Sequence, residues 1–133
     1  LIQGVDLLFC GQGDAARLFG CSGTPQTIVQ ALAERSGAKC VITSLSDEGV
    51  AAWDGGDFYQ RPARPVQIVD RLGAGDALAA GVIHGWLEGD IEHGLEVGTV
   101  LAAINLTLHG DMVVTTREEV ESLLKSSGGG LNR

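Results

Sequence analysis

Gly73-Ala74-Gly75-Asp76 lies between a short β-branched run, residues 66–69 (VQIV), and a long stretch of small and apolar residues, 74–87 (AGDALAAGVIHGWL). The run reads as a strand and the stretch as a closely packed helix, so the glycines fall on a strand-to-helix turn. Such a turn belongs to layered folds in which strands feed helices that pack back on the sheet.

The rest of the chain agrees with that layering. Residues 5–10 (VDLLFC) form an apolar run ended by Gly11-Gln12-Gly13, with Asp14 placed to cap a short helix over 15–19 that Gly20 closes. Thr24-Pro25 opens a second helix, Ile28, Val29, Leu32 and Ala33 give it an apolar stripe, and Gly37 ends it. Residues 39–45 (KCVITSL) read as a buried strand, followed by the turn Ser46-Asp47-Glu48-Gly49. Residues 50–53 and 57–60 flank Asp54-Gly55-Gly56 as a hairpin, and Pro62 and Pro65 mark an irregular connection. Helices are expected over 91–108 and 117–125, the latter opened by a capping-box pattern, with a strand at 112–115 between them. The expected class is α/β: a mainly parallel sheet with flanking helices and a short antiparallel hairpin, one domain over 1–125, then a Gly- and Ser-rich tail at 126–133. No internal repeat is visible.

Charge excludes one broad class of function. Nine Lys and Arg face seventeen acidic residues, a net charge of −8, which opposes binding to a nucleic-acid backbone. No apolar run approaches the ~18 residues of a membrane span, and the N-terminus lacks a signal-peptide pattern. The expectation is a soluble, cytoplasmic protein that makes no membrane contact. The chain begins at Leu1 and enters a strand almost at once, as a portion of something longer would. Cys10, Cys21 and Cys40 are odd in number and lack Cys-x-x-Cys spacing, so they read as small buried residues. His84, His93 and His109 lack a paired carboxylate or second His at ligand spacing and read as structural, while Trp53 and Trp86 read as packing residues.

The glycine turn is where chemistry is expected. Glycine amides and a helix N-terminus face one point there, which makes an anion site. The amides of Gly73, Ala74 and Gly75 would stabilise charge growing on transferring phosphoryl oxygens. A carboxylate at the same turn would repel a phosphate bound to it directly. Asp76 is therefore useful beside the phosphate, taking the proton of an attacking hydroxyl. Arg71, next to the loop, reads either as an exposed loop residue or as a contact for phosphate or a substrate carboxylate.

The longer string, residues 70–81 (DRLGAGDALAAG), resembles the C-terminal signature of the ribokinase-like (PfkB) carbohydrate kinases at nearly every constrained position. Residues 41–49 (VITSLSDEG) resemble that family's strand and nucleotide turn, and residues 99–105 fall where its adenine-side helix runs. The resemblance implies ATP with Mg2+ as cofactors. It assigns nucleotide contacts to Ser44, Leu45, Ser46, Gly49, Thr99 and Ala102, with the phosphates directed at Gly73 and Gly75. The Asp70-Arg71-Leu72 opening, together with Leu108-His109-Gly110-Asp111 and residues 115–121 (TTREEVE), looks most like the 2-keto-3-deoxygluconate kinases. That implies a small sugar or sugar acid as partner, with its C6 hydroxyl as acceptor.

Two positions depart from the family. Gly11 stands where an Asn is usual, leaving Asp14 as the carboxylate that would help hold magnesium, and Ser46 replaces a glycine of the nucleotide turn. The resemblance covers the nucleotide half only. The N-terminal half, with most sugar contacts, is expected to be missing, so that the chain alone turns over poorly and tends to self-associate. The alternative is a non-catalytic nucleotide-binding or assembly module derived from the same fold. A dinucleotide-binding oxidoreductase is disfavoured, since no Gly-x-Gly-x-x-Gly follows the first strand.

Overall fold

The computed structural model describes residues 2–110, 113 and 115–126. Two positions of the expected strand at 112–115, and all of the tail but Ser126, lie outside the described residues. The chain divides into two compact units, Leu1–Pro62 and Ala63–Arg133.

The first unit carries β1 (Leu7–Phe9), α1 (Gln12–Phe19), α2 (Pro25–Ser36), β2 (Cys40–Ser44), a 3-10 turn (Ser46–Glu48), β3 (Val50–Asp54) and β4 (Asp57–Arg61). The strands form one sheet in the order β1-β2-β3-β4. β1 runs parallel to β2, with Leu7 opposite Cys40 and Phe9 opposite Ile42. β3 is antiparallel to β2, with Ser44 opposite Val50, and β4 is antiparallel to β3, with Asp54 opposite Asp57. The α/β class and the hairpin are as expected. The sheet itself is mixed, because two of its three pairings come from the hairpin.

Local sequence explains these boundaries. Thr24 caps α2 by accepting from the Thr27 amide at 3.2 Å, and Gly37 ends it at φ 71°. Gly55 and Gly56, at φ 62° and 112°, make the two-residue turn of the hairpin. Ile28, Val29 and Leu32 are buried in one cluster with Ala15, Val41, Leu45 and Ala51. Each such large side chain contributes about 1.5–3 kcal/mol by leaving water. Asp14, expected as the cap of α1, is not the cap. The helix starts at Gln12 with extended Gly11 before it and no side-chain cap, and Asp14 lies in the first turn, paired with Arg17 at 2.6 Å. The positive end of the helix favours a carboxylate there as well as at the cap.

The second unit carries α3 (Ala74–Leu87), α4 (Ile91–Leu106) and α5 (Arg117–Lys125). Residues 66–69 form no strand. Among the described residues their β-branched pattern has no ladder partner, and the amides of Val69 and Asp70 donate instead to the Leu106 carbonyl at the end of α4, at 2.7 and 3.2 Å. α3 and α4 meet through glycine. A Cβ at Gly81 would collide with the Gly98 backbone, and one at Gly85 with the Gly94 backbone. Val82, Leu95, Val100 and Ile104 are fully buried within this unit. Thr116 caps α5 by accepting from the Glu119 amide at 3.1 Å, while the Thr115 hydroxyl donates to the Glu119 carboxylate at 2.6 Å. Arg64 Nη1 donates to the Leu123 carbonyl at 3.0 Å and fastens the connecting segment to α5. Among the described residues no helix is long and apolar enough to cross a membrane.

Candidate active site

Gly73 adopts φ 86°, a left-handed conformation open to glycine, and this bend turns the chain directly into α3. No side chain caps the helix. The first amides of a helix have no carbonyl of their own turn to bond, so Gly75 and Asp76 present free donors at a partially positive helix end. A Cβ at Gly75 would meet nothing within 4 Å, so the backbone at Gly75 is open to approach. Asp76 and Arg71 are both exposed beside it. This unit therefore brings together the expected anion loop, the expected base and the arginine.

The loop is held from two sides. Asp70 accepts through Oδ1 from the Leu72 amide and through Oδ2 from the Gly110 amide, each at 3.0 Å. Those two amides, Leu72 first, hold its carboxyl below the usual carboxylate range. Asn105, fully buried, donates from Nδ2 to the Leu72 carbonyl at 2.6 Å. Sequence reasoning gave neither Asp70 nor Asn105 a bracing role. The available signal was an amide closing the apolar run 100–104 of α4. Thr99 and Ala102 lie on the same helix. Thr99 is buried and its hydroxyl donates to the Glu96 carbonyl at 2.9 Å, and Ala102 is half-buried.

In the first unit, the segments around Gly11 and Ser44 come together. β1 and β2 are parallel, so both C-terminal ends reach one edge of the sheet, the usual ligand edge of an α/β layer. A Cβ at Gly11 would stand 3.4 Å from Ser44 Oγ. Leu45 is a core residue, its amide donating to the Gly49 carbonyl at 2.8 Å. Ser46 is exposed at φ 54°, and Gly49 has φ 102°, so both ends of the 3-10 turn are left-handed. The glycine usual at position 46 suits that conformation better than serine does. Asp14 is exposed, and its carboxylate is engaged by Arg17.

An uncapped glycine turn opening a helix is a place where an anion can meet backbone amides. The chain belongs to the pfkB family of carbohydrate kinases, whose pattern matches residues 1–117. It is 30% identical over 134 residues to the 2-dehydro-3-deoxygalactonokinase of Haloferax volcanii, covering 100% of this chain and 42% of that protein. It is 32% identical over 124 residues to the 2-dehydro-3-deoxygluconokinase of Bacillus subtilis, covering 91% of this chain and 38% of that one. The Arabidopsis thaliana ribokinase complexed with ribose and ATP superposes with a TM-score of 0.80 at 30% identity, over 94% of this chain and 42% of that structure. The chain thus spans about two fifths of the length of the relatives it matches.

The residues present fit a phosphate group. The α3 terminus offers uncapped amides and open space above Gly75. The fit to magnesium is thinner, since Asp14 already has a cationic partner. Magnesium usually takes one or two carboxylates and several phosphate oxygens, so most of its ligands would come from the nucleotide.

Proposed function

We propose that this chain supplies the phosphoryl-donor side and the catalytic base of an ATP-dependent transfer to a sugar or sugar-acid hydroxyl, with 2-keto-3-deoxygluconate as the favoured acceptor. The observation that carries this reading is the uncapped, open N-terminus of α3 with Asp76 in its first turn. Asp76 accepts the proton of the attacking hydroxyl, which raises that oxygen's nucleophilicity as the bond to phosphorus forms. The amides of Gly73, Ala74 and Gly75 take up negative charge on the moving phosphoryl group, that of Ala74 once it leaves the Arg71 carbonyl, to which it donates at 3.4 Å. Arg71 offers a planar two-pronged donor to a phosphate or to the acid group of the acceptor. Ser44, Leu45, Ser46, Gly49, Thr99 and Ala102 form the nucleotide contacts in this proposal, and Asp14 a magnesium contact once released from Arg17. When bound, magnesium ATP supplies the transferable phosphoryl group and the cation that offsets its charge.

The acceptor is favoured on two grounds: the Asp70-Arg71-Leu72 sequence and the names of the two keto-deoxy sugar-acid kinase relatives. A protein of the relatives' length is expected to provide the acceptor contacts, and this chain alone to turn over poorly and to self-associate. The test is ATP-dependent phosphorylation of 2-keto-3-deoxygluconate by a protein of that length, beside its Asp76→Asn variant. Loss of a general base costs about 10²- to 10⁴-fold in kcat. An unchanged rate would remove Asp76 from that role, and preferred turnover of ribose would replace the acceptor.

A second reading rests on Ser46 at a left-handed position and on the Asp14–Arg17 pair: a nucleotide-binding or assembly module that has lost catalysis. Calorimetry with magnesium ATP together with the activity assay separates the two. Binding without turnover at full length favours the module.

A further inference from the structure

We propose that the elbow joining α3 to α4 binds one divalent transition-metal ion of the zinc or nickel type, held by His84, Glu88 and His93. One ligand atom from each of these three side chains lies within 4.8 Å of the others. His84 Nε2 stands 3.5 Å from Glu88 Oε1, and the rings of His84 and His93 have centroids 6.5 Å apart, tilted by 56°. A tetrahedral ion with bonds of about 2.0–2.2 Å needs its donors roughly 3.3 Å apart. Closing this cluster around an ion therefore takes side-chain shifts of about 1–1.5 Å. His84 and Glu88 are exposed and His93 half-buried, so rotamers are free to make them.

The backbone beneath the cluster is already fixed. His84 and Glu88 are four residues apart and share one face at the end of α3. Gly89 turns the chain at φ 78°, the Asp90 amide donates to the Gly85 carbonyl at 2.9 Å, and Asp90 Oδ1 accepts from the His93 amide at 3.0 Å. Gly85 and Gly94, the immediate neighbours of the two histidines, are pressed backbone to backbone. His84 and His93 are thus carried on adjoining turns whose separation cannot drift.

The donor set names the class of ion. Two imidazoles and a carboxylate suit zinc, nickel or copper, whereas magnesium and calcium take oxygen ligands. Three protein ligands leave a position for water, which fits an exchangeable surface ion. A bound ion would tie the end of α3 to the start of α4 and raise the stability of the folded state by mass action. This proposal does not depend on the kinase reading, since it concerns binding without nucleotide.

The test uses the metal-free full chain titrated with Zn2+ by calorimetry, with thermal unfolding followed in parallel and Co2+ as a visible-absorption probe. The expected result is one ion per chain, a raised melting temperature and a four-coordinate Co2+ band, with no response to Mg2+ at the same concentration. Losing even an outer-shell partner costs about 10- to 100-fold in metal affinity, so His84→Ala and His93→Ala should each cost at least that. Glu88→Gln should weaken binding, while His109→Ala and Cys10→Ser leave it unchanged. Circular dichroism of each variant before metal addition separates a lost ligand from a lost fold. No saturable binding, binding indifferent to both histidines, or one ion shared by two chains would overturn the intrachain site.

Discussion

The side-chain amide of Asn105 donates to the carbonyl of Leu72 at 2.6 Å, so the last turn of α4 grips the loop from which α3 begins. Its Oδ1 is buried and accepts no hydrogen bond among the described residues. Asn105→Ala removes the donor and leaves a gap. The expected loss is about 1–3 kcal/mol, read from urea unfolding. Asn105→Asp should be worse, because it sets a carboxylate against a carbonyl oxygen. If both variants match the parent in stability, the loop is braced elsewhere.

Asp70 gives the loop a pH dependence. Two backbone amides hold its carboxyl below the ordinary carboxylate range in the folded chain. Its stabilisation is therefore complete above that ordinary range and is lost as acid carries the pH down through it toward the depressed folded value. Unfolding midpoints measured from pH 6 to pH 2 should fall more steeply for the parent than for Asp70→Asn. Parallel acid profiles would show that the carboxylate contributes nothing.

Two glycine substitutions should part stability from function. Gly81→Ala drives a methyl into the Gly98 backbone, and neither helix can yield without shifting its axis. Overpacking of this kind costs about 1–3 kcal/mol and sometimes more. Gly75→Ala meets open space within a helix, so the fold should be unharmed or gain about 0.4–1 kcal/mol. The methyl would nonetheless stand where a phosphate has to approach. Melting temperature and magnesium ATP affinity, measured on both variants, check the pair of outcomes.

Burial pushes the Cys40 thiol up to about 12, with Asp54 adding to the shift. The thiolate is the reactive form, so Cys40 should resist thiol reagents at pH 8 until the chain unfolds. The raised value also makes stability fall as pH climbs from the ordinary thiol range toward about 12, because the unfolded chain ionises first. Mass spectrometry after brief alkylation, with and without urea, tests the first expectation. Rapid native labelling at Cys40 would contradict it.

Elements announced by their own ends were legible in the sequence. Thr24 and Gly37 bracket α2, Gly73 starts α3, and Gly55-Gly56 turns the hairpin. Each depends on a conformation that a few neighbouring residues decide. The run at 66–69 was misread because a strand is a relationship between segments, and β-branching says nothing about whether a partner exists. Asp14 was misread by a smaller margin, since extended Gly11 moved the start of α1 ahead of it. Within the candidate site, Asp76, the glycines and Arg71 were visible as one continuous string. The braces were not, because Asn105 reaches Leu72 across 33 positions and Asp70 reaches Gly110 across 40. His84 and His93 were misread as lacking a paired carboxylate: Glu88 stands four residues after His84 with its Oε1 3.5 Å from Nε2, and only the elbow brings His93 beside them.

α3 runs without a break from the glycine loop to the elbow. At 1.5 Å per residue, Asp76 and His84 stand about 12 Å apart along its axis. The helix is therefore a ruler with a candidate base at one end and a metal-ligating cluster at the other. A paramagnetic ion seated at the elbow would act as a beacon, broadening amide resonances near Gly75 according to their distance from it. Any bending of the rod, or any shift of the loop as a nucleotide arrives, would then register in solution as a change in length, with no label attached by chemistry.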